Sequence, residues 1–300
     1  MSPLADSQAP LRSFNKRRDF FIGIDSDGCA FDTMEVKHKE CFIPAFIKNF
    51  RLAAVSKYAR EACEFVNLYS KDRGANRFPA YLKALELLAD RPEVRRRCFQ
   101  VPALRGLRDW VARESKLGNP TLKAEVEKTH DPDLALSYAW SVEVNKNVEE
   151  VVKDVPPFPM VRESLEAMLG KADVMVVSAT PGEALTREWE EHGLSRYVGL
   201  IAGQELGSKK DHLSLAAGPE KYARDRVLMI GDAPGDQKAA EANGVLFYPI
   251  NPGQEEASWQ RFHDEALPRF FAGAYAGNYM RQRVEEFEAL LPITPPWKKA

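Results

Sequence analysis

The chain has 300 residues, of which 44% are hydrophobic and 29% are charged, and this balance is typical of a globular protein. Its formal net charge of -2 gives no overall field that would attract nucleic acid or an anionic membrane surface. There is no C-x-x-C pair among the four cysteines, no apolar leader and no apolar run near the ~18 residues of a membrane span. The sequence therefore predicts a cytoplasmic protein with reduced thiols that binds neither nucleic acid nor membranes.

The first 18 residues are polar and contain prolines, which predicts a flexible N-terminal tail over residues 1–18. Residues 20–24 (FFIGI) then form a short continuous apolar run, the pattern of a buried strand. From residue 34 to residue 155 comparable strand signals are missing, and the sequence favours helices. The last predicted helix of this segment begins with Asp131 and Pro132, a typical helix start.

Three prolines within Val155–Met160 (VPPFPM) interrupt the helical pattern and indicate a linker. Beyond it, apolar runs alternate with helical stretches. The predicted helices cover 161–170, 181–194, 210–223 and 235–244, and the predicted strands cover 172–180, 197–203, 225–232 and 245–250. Strands and helices that alternate through short connections indicate a parallel sheet with helices on both faces.

The strand at 20–24 is expected to join this sheet, although a long helical segment separates it from the other strands. The predicted fold class is therefore α/β, a Rossmann-like parallel sheet core with an inserted α-helical domain. We assign residues 19–33 and 156–300 to the discontinuous core, and residues 34–155 to the insertion.

Each strand that leads to a candidate site ends in polar residues. These are Asp25 and Asp27, then Ser178 and Thr180, then Lys209 and Lys210, and finally Asp232 and Asp236. Ligands of an open parallel sheet bind outside the carboxyl ends of its strands, so these side chains are expected to converge. Four carboxylates at one place require a cation, and their oxygen atoms favour Mg²⁺. With the cation bound, a carboxylate can attack phosphorus and form an aspartyl-phosphate.

Four sequence signals occur in a fixed order along the chain. DSDG follows an apolar strand, and Ser178 ends the next strand of the motif pattern. Lys209 lies about twenty residues before the last motif, GDAPGD, which follows another apolar strand. Together they resemble the motifs of the haloacid dehalogenase superfamily of phosphohydrolases. The resemblance covers residues 19–33 and 156–250, and it implies that the helical segment 34–155 is the cap that these enzymes insert after the first motif.

The resemblance implies a catalytic role for four residues. Asp25 would be the nucleophile, and Asp27 would be the general acid and base. Ser178 would hydrogen-bond the transferring phosphoryl group. Lys209 would offset negative charge on the nucleophile and the phosphate, and the adjacent Lys210 is the alternative for this role.

The resemblance also implies a Mg²⁺ site. The carboxylates of Asp25 and Asp232 and the main-chain carbonyl of Asp27 would bind the ion directly, whereas Asp236 would hold its waters or the lysine. An aspartate at position 27 favours phosphate esters, because their alkoxide leaving group needs a proton. We therefore predict a Mg²⁺-dependent phosphatase acting on a small phosphorylated metabolite such as a sugar phosphate.

Two alternatives remain open at this point. A phosphomutase of the β-phosphoglucomutase type would use the same Asp25 and Asp27 but return the phosphoryl group to the substrate. A catalytically silent metabolite-binding protein would keep the fold without turnover. The oligomeric state does not follow from the sequence.

Substrate contacts are predicted in two places. The first is next to Ser178, at Ala179 and Thr180. The second is the cationic segment Ser70–Ala80 (SKDRGANRFPA), where the candidate side chains are Lys71, Arg73, Asn76 and Arg77. The alternative for this segment is a solvated loop whose arginines pair with surface acids. The aromatic residues after the last strand are expected to pack helices against the core; they include Trp259, Phe262, Phe270 and Phe271.

Overall fold

The computed structural model of the chain describes residues 6–298. Its strands are β1 Phe20–Ile24, β2 Ala172–Val177, β3 Leu200–Ala202, β4 Val227–Gly231 and β5 Leu246–Pro249. Its α-helices are α1 Ala9–Arg12, α2 Thr33–Val36, α3 Ile43–Asn49, α4 Ser56–Leu68, α5 Arg77–Asp90, α6 Pro92–Arg96, α7 Arg105–Arg113, α8 Asn119–Thr129, α9 Pro132–Val151, α10 Val161–Met168, α11 Gly182–Glu191, α12 Lys209–Ala216, α13 Pro234–Asn243, α14 Glu255–Arg261, α15 Leu267–Phe271 and α16 Asn278–Leu290. Short π-helical turns, Lys37–Phe42 and Phe262–Ala266, lead into α3 and α15.

The five strands form one parallel sheet in the order β3-β2-β1-β4-β5. β1 lies at its centre, where Ile24 pairs with Val176 of β2 and with Ile230 of β4. Strands covered on both faces read as continuous apolar runs, which explains the FFIGI pattern. The predicted α/β fold class is confirmed, including the pairing of residues 20–24 with strands far along the chain.

The sheet buries a different set of side chains on each face. On one face, Ile22 and Ile24 belong to a buried cluster with α10, α11 and the helices after β5. The C-terminal aromatic residues lie in or against this cluster, as predicted; Trp259, Phe262 and Phe270 are buried and Phe271 is partly buried. On the other face, α12 packs so closely on β1 that a methyl group at Gly23 would lie 3.2 Å from Leu213.

The described residues divide into two compact units. The α/β unit consists of residues 6–33 and 154–290, and the helical unit consists of residues 34–153 and 291–298. In the helical unit, Trp140 of α9 packs against surrounding aromatic rings such as that of Tyr81. Within residues 6–298, no helix combines the length and the apolarity needed to cross a membrane.

The C-terminal boundary of the predicted core is wrong for residues 291–298, which pack with the helical unit. The indole of Trp297 lies edge-on to Phe65, and the guanidinium of Arg91 lies 3.8 Å from the centre of the Trp297 ring. Lys298 forms an ion pair of 2.9 Å with Asp90. These contacts join residues distant in sequence, so no local pattern could reveal them.

The structure also differs from the predicted flexible tail. Residues 1–5 lie outside the described residues, but Leu11 of α1 is fully buried. The main-chain N–H groups of Arg17 and Arg18 donate to Asp173 Oδ2 at 2.7 and 2.8 Å. Residues 6–18 are therefore fixed to the α/β unit, because α1 contacts α12 and the main-chain donors of Arg17 and Arg18 bond to Asp173 of β2.

One predicted helix is shorter than expected. The pattern predicts a helix over 210–223, but α12 ends at Ala216. Gly218 and Pro219 follow, and a residue before proline avoids the helical conformation. The chain then reaches β4 through a turn and a short 3-10 helix, Arg224–Arg226.

The close approach of α12 to β1 leads to a first prediction. Gly23→Val should destabilise the protein by about 1–3 kcal/mol, because the new side chain would overlap Val177, Leu213 and Met229. The measurement is the thermal midpoint of unfolding. Gly235→Ala is the matched control, since a methyl group there meets no heavy atom within 4 Å. An unchanged midpoint for Gly23→Val would contradict the packing described here.

Candidate active site

Asp25 and Asp27 lie on a tight loop that leaves the carboxyl end of β1. The N–H of Asp25 donates to Ile230 O at 3.0 Å, which makes it the last residue held by the neighbouring strand β4. The loop then turns back on itself, with the N–H of Ala30 bonded to Ser26 O at 2.9 Å. Gly28 has a φ of 75°, a conformation that glycine adopts without strain. The DSDG sequence therefore places two carboxylates on one short turn.

Lys209 reaches this loop from the start of α12. Its Nζ lies 2.5 Å from Asp25 Oδ2 and 2.6 Å from Asp236 Oδ1. Ser208 caps the helix, since its side chain accepts from the N–H of Asp211, whose carboxylate accepts from the N–H of Ser208 in turn. Lys210 is exposed, so Lys209 is the lysine of the site.

The GDAPGD sequence places Asp232 and Asp236 after β4. Asp232 is buried at the strand end, and Asp236 lies in the first turn of α13. The N–H of Ala233 donates to Asp236 Oδ2 at 3.0 Å and fixes its carboxylate. A methyl group at Gly231 would lie 2.3 Å from Asp236 Cγ, so this glycine makes room for the carboxylate.

Ser178 and Thr180 come from the loop after β2. The N–H of Ser178 donates to Ala202 O of β3, and its side chain accepts from the N–H of Thr180 at 3.2 Å. The Thr180 hydroxyl donates to Asp27 Oδ2 at 2.5 Å. In this structure Thr180 therefore contacts the second aspartate of DSDG directly. Ala179 lies between the two hydroxyl residues.

Burial controls the electrostatics of the site. Only 5% of Asp25 is exposed and Asp236 is fully buried. Burial raises the pKa of Asp25 to about 6; Lys209 opposes this shift and Asp236 adds to it. Burial likewise raises the pKa of Asp236. For Lys209, burial acts to lower the pKa, but the carboxylates of Asp236 and Asp25 outweigh it and leave the pKa raised.

The carboxylates can hold a metal ion. One oxygen from each of Asp25, Asp232 and Asp236 lies within 4.8 Å of the others. Three buried oxygen donors with a single nearby lysine leave excess negative charge, which suits a hard divalent cation such as Mg²⁺. Asp236 belongs to this cluster, and its Oδ1 also accepts from Lys209, the contact with the lysine that the resemblance implied for it.

The structure does not support three of the four predicted substrate residues in the helical unit. Arg73 is buried, and its Nη1 donates to Leu68 O at 2.9 Å. Asn76 caps α5, accepting from the N–H of Phe78. Their side chains have partners inside the unit, and their predicted role in substrate binding stays a prediction.

Arg77 is also committed to internal contacts. Its Nη1 donates to Ser141 Oγ at 3.0 Å and to Asn145 Oδ1 at 2.8 Å, and its guanidinium lies 4.8 Å from the centre of the Phe42 ring. Burial lowers the pKa of Arg77 to about 10. Lys71 is exposed, and its predicted role stays a prediction.

Sequence reasoning missed the residues that hold the DSDG loop. The hydroxyl of Thr33 donates to Asp27 Oδ1. The indole N–H of Trp259, in the C-terminal segment, donates to Cys29 O at 2.7 Å. The only sequence signal was the short spacing between Asp27 and Thr33; Trp259 lies more than two hundred residues away and gave none.

The coupling of these charges leads to a second prediction. Lys209→Met should raise the pKa of Asp25 above about 6, because the lysine lowers it, and Asp236→Asn should lower it, because the second carboxylate raises it. The pKa is measured by titrating the ¹³C carboxyl signal of Asp25 in the presence of EDTA. Shifts in the same direction for both variants would refute this account.

The acidic cluster leads to a third prediction. Millimolar Mg²⁺ should raise the thermal midpoint of the protein by several degrees, because a ligand that binds only the folded state stabilises it. Asp232→Asn should remove this effect. Asp19→Asn is the matched control, because its side chain is 74% exposed at the opposite end of β1. An equal Mg²⁺ effect in the Asp232 variant would rule out this cluster as the binding site.

Comparison with known proteins agrees with this geometry. The family model described as haloacid dehalogenase-like hydrolase matches residues 114–249. No curated protein matches the sequence. The chain is similar to a solved structure from Lactobacillus delbrueckii subsp. bulgaricus assigned as a phosphoglycolate phosphatase, with 14% identity, a TM-score of 0.51, and coverage of 87% of this chain and 100% of that one. At this identity the similarity concerns the fold.

Two further solved structures are more distant. One, from Haemophilus somnus, is assigned as a phosphoglycolate phosphatase, with 14% identity, a TM-score of 0.46, and coverage of 79% of this chain and 88% of that one. The other is a hydrolase from Bacillus subtilis bound to magnesium, with 14% identity, a TM-score of 0.43 and the same coverage. The family match over residues 114–249 includes the GDAPGD sequence, and the Rossmann-like sheet carries both GDAPGD and DSDG at its strand ends, so the chain is similar to haloacid dehalogenase-like hydrolases in these features.

Proposed function

We propose that the protein is a Mg²⁺-dependent phosphatase that removes phosphate from a small phosphorylated metabolite through a phosphorylated Asp25. The observation that carries this proposal is the pairing of Asp25 with Lys209, next to Asp27 on the same turn. A lone carboxylate would repel a phosphate, whereas this one has a cation on one oxygen. The second carboxylate lies two residues away, where it can act on the leaving group.

The proposed reaction has two steps. In the first, a carboxylate oxygen of Asp25 bonds to phosphorus, the bond from phosphorus to the ester oxygen breaks, and Asp27 gives its proton to that oxygen. In the second, water attacks phosphorus, Asp27 takes up a proton from this water, and the bond to Asp25 breaks. Inorganic phosphate and an alcohol are the products, and both aspartates return to their starting states.

The other residues stabilise charge and geometry. Lys209 offsets charge on Asp25 and on the incoming phosphate. Ser178, at the end of the neighbouring strand, would hydrogen-bond phosphoryl oxygens. A Mg²⁺ ion held by the acidic cluster would neutralise charge on the phosphoryl group. Thr33 and Thr180 hold the two oxygens of Asp27, so that its proton transfer occurs at a defined position.

The substrate class rests on weaker support than the reaction. Arg73, Asn76 and Arg77 have internal partners, and Lys71 is the remaining cation of the four residues first predicted to bind substrate. A sugar phosphate stays our proposal for the substrate. The four cysteines are free thiols, which agrees with the proposed cytoplasmic location.

A panel of phosphorylated metabolites, assayed with Mg²⁺, tests the reaction. Release of inorganic phosphate supports a phosphatase. An isomeric phosphate ester without phosphate release would instead support a mutase. If p-nitrophenyl phosphate and the whole panel were left untouched, the protein would be a binding protein that kept this fold.

The two aspartates lead to a fourth prediction. Asp25→Asn should abolish turnover of every substrate, because the amide cannot attack phosphorus. Asp27→Asn should slow alkyl phosphates by about 10²–10⁴-fold, but p-nitrophenyl phosphate much less, because nitrophenolate leaves without a proton. Release of the alcohol or of nitrophenol in the first turnover measures both effects, because it reports the first step and not the later attack of water that Asp27 also assists; Asp19→Asn is the control. Equal losses on the two substrates in the Asp27 variant would contradict its role as the acid.

A further inference from the structure

Ser26, the residue between the two aspartates, is fully buried and tied to α11. Its hydroxyl donates to Glu188 Oε2 at 2.9 Å and accepts from the indole N–H of Trp189 at 3.0 Å. Both partners are neighbours on α11, and Trp189 is itself buried. The side chain of Ser26 is thus held by one acceptor and one donor on a single helix.

The main chain of Ser26 determines the position of the nucleophile. Its N–H donates to Asp25 Oδ1 at 2.8 Å, while Lys209 binds Oδ2. Its carbonyl accepts from the N–H groups of Ala30 and Phe31. Asp25 makes the last ladder bond with β4, so the sheet does not hold the residue that follows it. The hydrogen bonds of the Ser26 hydroxyl with Glu188 and Trp189 of α11 hold this residue instead.

We propose that Glu188 and Trp189 fix Ser26 and thereby orient the Asp25 carboxylate for attack. Ser26 and Glu188 are then positioning residues of the reaction, and this inference rests on the proposed function. The Trp189 ring also lies edge-on to Phe31, with 5.7 Å between ring centres, so α11 holds both ends of the Ser26–Phe31 turn. Displacing a reacting atom by about 1 Å can cost about 10²-fold in rate.

The first test compares two buried serines. Ser26→Ala should lower kcat for p-nitrophenyl phosphate by about tenfold or more and leave KM within about twofold, because the nucleophile loses its alignment while phosphate binding remains. Ser164→Ala is the matched control. Ser164 is fully buried in the same unit, and its hydroxyl has no hydrogen-bond partner among residues 6–298. Equal effects of the two substitutions would overturn the inference.

The second test separates position from charge. Glu188→Gln keeps an oxygen acceptor for Ser26 and should retain most activity, whereas Glu188→Ala should reproduce the loss in Ser26→Ala. The double variant Ser26→Ala/Glu188→Ala should lose little more than either single one, because both remove the same contact. Equal damage from Gln and Ala at position 188, or fully additive losses, would overturn the inference.

A third measurement does not depend on turnover. The ¹³C carboxyl signal of Asp25, assigned with Asp25→Asn, should move in Ser26→Ala and stay in place in Ser164→Ala. The ¹⁵N-indole signal of Trp189, assigned with Trp189→Phe, should lose its protection from hydrogen exchange in Ser26→Ala only. If the wild-type protein hydrolysed no phosphate ester, the proposed function would fail, but these signals would still decide the inference. An Asp25 signal unchanged by Ser26→Ala would overturn it.

Discussion

The Lys209 ammonium, held between the carboxylates of Asp25 and Asp236, is the contact on which the rest of the site depends. Buried carboxylates are costly, because they lose hydration and repel one another. A single lysine reduces this cost but leaves excess negative charge. The site is consequently suited to bind a cation and then a phosphate. The excess negative charge that makes this binding favourable lowers the stability of the folded protein.

The fold supports this charge cluster through rigid elements. β1 lies at the centre of the sheet, and its two neighbours bring Ser178 and Asp232 to the same edge. Two helices position the remaining charged residues of the site. α12 presents Lys209 from its first turn, and α13 presents Asp236 in the same way.

The turn that carries Asp25 and Asp27 is held from several directions. Besides the contacts of Ser26 with α11, the indole of Trp259 donates to Cys29 O, which gives the segment after β5 a direct part in shaping the turn. The N-terminal residues have a comparable part at the opposite end of the sheet, where Arg17 and Arg18 bond to Asp173. Segments outside the four motifs thus hold the turn and the sheet from which it extends.

The arginine side chains of the helical unit make internal contacts, although their clustering in the sequence suggests an anion-binding site. A cluster of positive charge between two helices is a reasonable anion site, but Arg73 and Arg77 find carbonyl, hydroxyl and amide partners inside the unit. Long cationic side chains can stabilise a helical assembly in this manner, because their aliphatic stems also cover apolar surface. Charge composition alone therefore does not identify a ligand site.

The sequence by itself determined the fold class and the main residues of the site. Apolar runs mark strands, and acidic or hydroxyl residues placed directly after them can only lie at the carboxyl edge of a parallel sheet. Only the tertiary structure decided that Lys209 and not Lys210 faces Asp25, that Arg73 and Arg77 have partners inside the helical unit, and that Glu188 and Trp189 hold Ser26. These outcomes depend on contacts between residues up to about two hundred positions apart. Packing decides which way each of these side chains points, and the local spacing of residues in the sequence does not show it.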